Sequence, residues 1–188
     1  MSVYRCYSVK KPGFDVEARG LCRALQEQLG VQGLKSVTVL NRYDADQISQ
    51  DVYDQAKSIV FSEPQVDTVY DETFPVPGHP HSILAVEALP GQFDQRADSA
   101  EQCVKLLKED EEPVIRSAVT YVITAPLTND QEAAIKSFCI NPVDSREAGE
   151  DKPTTLVTEF EVPEDIKYFD GLADFKEEEL KALYDTLN

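Results

Sequence analysis

The chain is poor in positive charge. Its 188 residues carry 18 Lys and Arg against 35 Asp and Glu, a formal net charge of −17. Such a surface repels phosphate backbones and anionic lipid, which argues against nucleic-acid and membrane-surface partners. Long apolar runs are also missing. No stretch approaches the ~18 apolar residues that cross a bilayer. Met1 to Gly13 holds two lysines and an arginine without the apolar centre of a signal peptide. Four cysteines, Cys6, Cys22, Cys103 and Cys139, lie far apart with no C-x-x-C pair. A disulfide framework or zinc site is therefore not expected, and reduced, buried thiols in a cytoplasmic protein are. There are only two histidines, His79 and His81, and no Gly-x-x-x-x-Gly-Lys-Ser/Thr phosphate loop. A lone His-x-His without a third ligand reads as a solvated loop before a metal site. No base stands ready to activate a cysteine. The expectation is that this chain supplies no catalytic residue and binds no metal or cofactor.

What the chain does have is a repeated pattern. Pro12-Gly13-Phe14-Asp15 returns as Pro90-Gly91-Gln92-Phe93-Asp94, with Phe14 and Phe93, and Asp15 and Asp94, 79 positions apart. Each motif opens a stretch with helical spacing: Leu21, Cys22, Leu25 and Leu29 in one, Ala100, Cys103, Val104 and Leu107 in the other. Each helix is followed by a β-branched run, Val37 to Leu40 and Ala118 to Ile123, and then by a second amphipathic stretch. Ile48, Val52, Ala56 and Ile59 mark the first of these; Ala134, Ile135 and Phe138 mark the second. Both stop at a proline, Pro64 and Pro142, because proline cannot continue a helix and drives its predecessor into an extended conformation.

This order predicts an α+β fold of duplicated β-α-β-α-β units. The first repeat spans 1–73: strands over Val3–Val9, Ser36–Tyr43 and Val66–Asp71, helices over Asp15–Leu29 and Ile48–Ser62. Phe74 to Pro80, with three prolines, is a rigid connector. The second repeat spans 81–145: strands over Ile83–Leu89 and Ile115–Thr124, helices over Asp94–Leu107 and Thr128–Phe138, and a short extension after Pro142. Antiparallel sheets with helices packed on one face, associated as a pseudo-dimer within one chain, are the expected packing.

Residues 146–188 differ in composition. Glu147 to Pro153 is polar and turn-rich and reads as a linker; Thr155–Val162 alternates like an added strand. A short helix then begins near Phe175, with Glu177, Glu178 and Glu179 where the helix dipole favours acid and Leu180, Leu183, Tyr184 and Leu187 as its apolar stripe. A helix this short is marginal alone. It reads either as docking on its own domain or as the start of something longer.

The motifs resemble a known family. Phe14-Asp15-Val16-Glu17-Ala18 with Glu63-Pro64-Gln65-Val66-Asp67 is similar to the small subunit of formylglycinamidine ribonucleotide synthase, and Phe93-Asp94-Gln95-Arg96-Ala97 with Asn141-Pro142-Val143 resembles it again. Leu40-Asn41-Arg42-Tyr43, Val60-Phe61-Ser62-Glu63-Pro64 and Leu89 to Ser99 look like the large, single-chain form of that enzyme, phosphoribosylformylglycinamidine synthase. The resemblance covers essentially the whole chain. It implies a PurS-like N-terminal domain over 1–145 and a linker strand with the start of the linker domain over 146–188. The enzyme so implied is an ATP-dependent ligase and glutamine amidotransferase of purine biosynthesis. Its ATP and Mg, its glutaminase triad and its catalytic histidine would lie beyond residue 188. The partners implied are the remaining synthetase and glutaminase domains. The alternative is a free-standing pseudo-dimeric scaffold or regulatory interaction module.

Asp15 and Asp94 are the expected helix caps, and Phe93 is expected to anchor its helix start in the core. Gln95, Arg96 and Asp98 extend from that helix start and are candidates for contact with an interface or a substrate. Arg96 needs a compensating partner, because the dipole disfavours a cation there. Arg42 and Arg146 are expected to be further exposed candidates.

Overall fold

The computed structural model describes residues 3–157 and 172–187. Its first compact unit ends at Val157 and holds an α+β fold with one six-stranded antiparallel sheet. The strands are β1 (Tyr4–Lys10), β2 (Ser36–Asp46), β3 (Asp67–Asp71), β4 (Ser82–Ala88), β5 (Val114–Thr124) and β6 (Ser145–Glu147). Helices α1 (Val16–Glu27) and α2 (Gln50–Ile59) fall between the first three strands, and α3 (Gln95–Leu107) and α4 (Asn129–Cys139) between the last three. The strand order is β3-β1-β2-β5-β4-β6, so the halves meet edge to edge along β2 and β5 in one continuous sheet.

The two halves keep strict register. Tyr4 begins β1 and Ser82 begins β4; Ser36 begins β2 and Val114 begins β5; Asp67 begins β3 and Ser145 begins β6. Each pair is 78 positions apart (4 to 82, 36 to 114, 67 to 145). The helices start 79 apart (16 to 95, 50 to 129). The extra residue before α3 is Gln92, in the turn after Gly91, and a shorter loop before β5 restores the offset. A one-residue slip within a strand would turn every side chain to the other face, so the length difference sits in loops. Gly13 (φ +95°) and Gly91 (φ +86°) hold left-handed conformations in the matching turns. Asn41 pairs with Val119, its own counterpart at offset 78, so the approximate two-fold relation centres on that pair.

All four helices pack on one face of the sheet, and they cross-pair between halves. Val52, Tyr53 and Ala56 of α2 meet Ala97, Ala100 and Val104 of α3 over Cys6, Tyr43, Ala45 and Ile115. Leu25 of α1 and Ile135 of α4 share a second cluster over Val37, Leu84 and Ile123. Truncating Leu25, which is fully buried, would cost about 2–5 kcal/mol by analogy with other core leucines.

The stripes run out at their ends. Phe14, Ile59 and Phe138 are exposed, and so is Phe93, at 74%, which does not anchor α3 in the core. Cys103 is exposed rather than packed; Cys6 is buried, and Cys22 and Cys139 are half-buried.

The stretch from Glu147 to Pro153, which composition assigns to a linker, begins within the sheet: Arg146 and Glu147 lie in β6, and Ala148 donates its N–H to the Ala85 carbonyl at 2.8 Å. Thr155 to Val157 form no strand, and 158–162 of that expected strand lie outside the described residues. The second compact unit contributes a 3₁₀ turn (Leu172–Asp174) and helix α5 (Glu177–Leu187).

Candidate interface cleft and the buried charge cluster

Between the start of α1 and the end of α2 lies a cleft of ≈790 Å³, floored by Ser8, Val39, Asn41 and Tyr43 of β1 and β2. Phe14, Val16 and Ala18 form one wall, Ile59, Phe61 and Glu63 the other, and Arg96 of α3 reaches in. Local sequence explains the walls. Asp15 occupies the N-cap position of α1, but its carboxylate accepts from the Gly13 N–H (3.0 Å) and pairs with Arg19 (3.3 Å), so it makes no side-chain cap. At the other wall, the N–H groups of Val60 and Phe61 both reach the Ala56 carbonyl, at 2.8 and 2.9 Å, and Pro64 bars a further turn. Phe61 is buried and stacks on Tyr43 with ring centroids 4.7 Å apart, which fixes the cleft floor.

The residues singled out by sequence separate into two groups on opposite faces of the sheet. On the helix face, Asp94 caps α3, accepting from the Ala97 N–H at 2.9 Å, and also accepts from the N–H of Ser117 (3.0 Å) and its hydroxyl. Gln95 and Arg96 are exposed in the first turn. Arg96 donates to the Tyr43 hydroxyl at 3.2 Å, a neutral partner at the helix end where a cation is disfavoured. Asp98 accepts from the Gln102 side chain at 2.7 Å.

Arg42 and Arg146 converge on Glu87 on the other face, at 3.9 and 2.7 Å. Arg42 is not exposed: it is 5% accessible, because β2 places it on a face that residues 148–157 cover. Arg146 is exposed on the edge strand.

That covered face carries a buried charge cluster. Arg5 donates to both oxygens of Asp44, at 2.5 and 2.8 Å, and Arg42 lies 3.6 Å from the same carboxylate. Further guanidinium donors reach backbone carbonyls: Arg5 to Glu150 (2.7 Å), Arg42 to Gly149 (2.9 Å), and Arg116 to Leu156 (3.1 Å). Asp46 accepts from the Thr155 hydroxyl and the Leu156 N–H, both at 2.8 Å.

Burial alone would lower the Arg5 value, but the hydrogen bond and charge of Asp44 outweigh it and raise it. Burial would likewise raise Asp46, but the bonds from Leu156, Thr155 and Gln47 hold its carboxyl below the ordinary range. The cluster seats a chain segment by charge-assisted hydrogen bonds; it has no nucleophile beside a base. The Cys6 thiol is pushed up to about 12 by burial and then by Asp71, away from reactivity. His81 Nδ1 lies 2.9 Å from the His79 carbonyl within the connector.

Sequence reasoning missed the cleft as a unit, since its parts come from four separated stretches. A signal was present in Val16, an apolar residue opposite the buried stripe of α1. No family model matches the chain, and no curated protein or solved structure matches it.

Proposed function

We propose that this chain is the N-terminal, PurS-like domain of phosphoribosylformylglycinamidine synthase, with the start of its linker domain, in the cytoplasm. On this reading it has no activity alone. It holds the synthetase and glutaminase parts of the enzyme together, so that ammonia released from glutamine reaches the ATP-activated amide without meeting bulk water. The observation that carries the reading is the sheet: each half supplies three strands at a constant offset of 78, joined through a central antiparallel pair. Two fused copies of a small subunit would have this arrangement, and the motifs at Asp15, Asp94, Pro64 and Pro142 stand at equivalent places in the halves.

Among the described residues no group of three His, Cys, Asp or Glu side chains is disposed to hold a metal ion. On this reading ATP and Mg belong to the remaining domains. The role of the chain's own residues is docking, for which Gln95, Arg96 and Asp98 at the start of α3, and Arg146 on the edge strand, are the polar candidates.

Complementation tests the proposal. The purified chain is added to the same enzyme lacking these residues, and glutamine-dependent amidine formation is assayed. Recovered activity with a stable complex is expected. A truncated enzyme that is fully active alone and ignores the chain would sink the bridging role.

A further inference from the structure

A bridging role does not say which surface bridges or what meets it. We infer that the cleft between α1 and α2 docks a basic, amphipathic segment of a partner protein. Three large apolar side chains stand at its rim in contact with solvent: Phe14 (55% exposed), Val16 (68%) and Ile59 (62%). An exposed apolar patch around a concavity marks an interaction surface, and a volume of ≈790 Å³ accommodates several side chains.

Charge selects the occupant. Of the two cations lining the cleft, Lys10 pairs with Asp67 at 3.0 Å, and Arg96, bonded only to the neutral Tyr43 hydroxyl, is outnumbered by the carboxylates of Asp15, Glu17, Glu63 and Asp67. Glu17 and Glu63 line the cleft, and no described Lys or Arg pairs with either. Two such carboxylates beside an apolar rim, on a chain of net charge −17, repel an acidic ligand and complement lysine or arginine flanking apolar side chains. Among the described residues neither Ser8, buried behind the rim, nor the half-buried Asn41 has a side-chain hydrogen-bond partner, which leaves both free for the segment's backbone.

The test is an amide chemical-shift titration of the whole chain with a synthetic amphipathic peptide of leucine and lysine, beside its leucine–glutamate counterpart. The expected result is saturable shifts concentrated at residues 14–18, 39–43 and 59–63 with the lysine peptide alone. Ile59→Ser with Glu17→Gln and Glu63→Gln should weaken binding by about tenfold or more. Glu109→Gln with Asp110→Asn, which removes the same charge elsewhere on the surface, should leave it unchanged. All these positions are exposed, so the variants keep the fold.

Equal weakening by the control pair would reduce the binding to net charge and overturn the inference. So would shifts scattered over the surface, equal binding of the glutamate peptide, or the same residues being covered by a second copy as protein concentration rises. Loss of peptide binding with intact complementation would remove the cleft and leave the bridging role. Failed complementation with retained peptide binding would do the reverse.

Discussion

At one end of the sheet face turned away from the helices stand Arg5, Arg42, Asp44 and Asp46; at the other stand Ile83, Thr120, Val122 and Thr124. These are counterpart positions, 78 apart (5 to 83, 42 to 120, 44 to 122, 46 to 124). The charged end is covered by residues 148–157, which bind it through backbone carbonyls and N–H groups. The apolar end packs Tyr7, Leu40, Val122, Ile83 and Phe74 of the connector, with Phe74 edge-on to Tyr7 at 4.7 Å. One backbone frame thus accepts two fillings with different physics. Apolar burial is non-directional and tolerates exchange of shape. A buried ion pair is nearly neutral when complete and severe when broken, so it fixes one seating of the segment above it.

The largest expected effect comes from breaking the charged end. Asp44→Ala strands Arg5 and Arg42 without their shared carboxylate and should cost about 3–5 kcal/mol in urea unfolding. Val122→Ala at the counterpart site should cost only about 1.5–3 kcal/mol. Equal losses would end the contrast. The comparison is sharpened by importing one filling into the other: Arg5→Ile, Arg42→Thr and Asp44→Val together should recover most of the stability lost in Asp44→Ala. Amide exchange of residues 149–157 should nevertheless rise, because the guanidinium donors to Gly149 and Glu150 are gone.

The caps give the next effect. Asp94→Ala removes the Ala97 cap and the bonds from Ser117 and should cost about 1–2 kcal/mol, whereas Asp15→Ala, which removes no cap, should cost a few tenths, read by thermal unfolding.

Thr120 and Thr124 bury hydroxyls that have no partner among the described residues. Thr120→Val should therefore stabilise by about 0.5–1 kcal/mol, since an unpaired buried hydroxyl is replaced by a methyl of the same shape. The smallest effect is in acid. Asp46 titrates below its unfolded value of about 3.9. The stability it contributes is complete above that value and disappears as pH falls through the lower folded value. Asp46→Asn should flatten the fall in unfolding free energy below about pH 4; an unchanged slope would deny Asp46 this role.

Much of the fold was legible because period and punctuation agreed. The strand through Val39 and the helix through Leu25 carry the 2-residue and 3.6-residue patterns, and Gly13, Gly91, Pro64 and Pro142 punctuate the helices of the two halves. The one-residue difference between the helix offset and the strand offset was visible only as a proline that matched at 78 while phenylalanine matched at 79.

The site was less legible. Arg42 looks solvent-exposed because β2 alternates and its polar side faces away from the helices; nothing local says that residues 148–157 return to cover it. Asp15 and Asp94 have the same sequence signature. Only Asp94 meets Ser117, because Ser117 stands where the other half has Val39. The cleft depends on where α1 begins, where α2 stops and where Arg96 of the other half reaches in, which is a tertiary fact.

The seam between β2 and β5 also imposes a timetable on biosynthesis. β2 leaves the ribosome 78 residues ahead of β5 (36 to 114), and each strand is 11 residues long. Until β5 arrives, the nascent chain displays one whole strand edge with its N–H and C=O groups unmatched, an open template for a neighbouring nascent chain. Of all the strand pairings, this one exposes the chain longest to its own copies, so a pause in translation between the halves is where misassembly would begin.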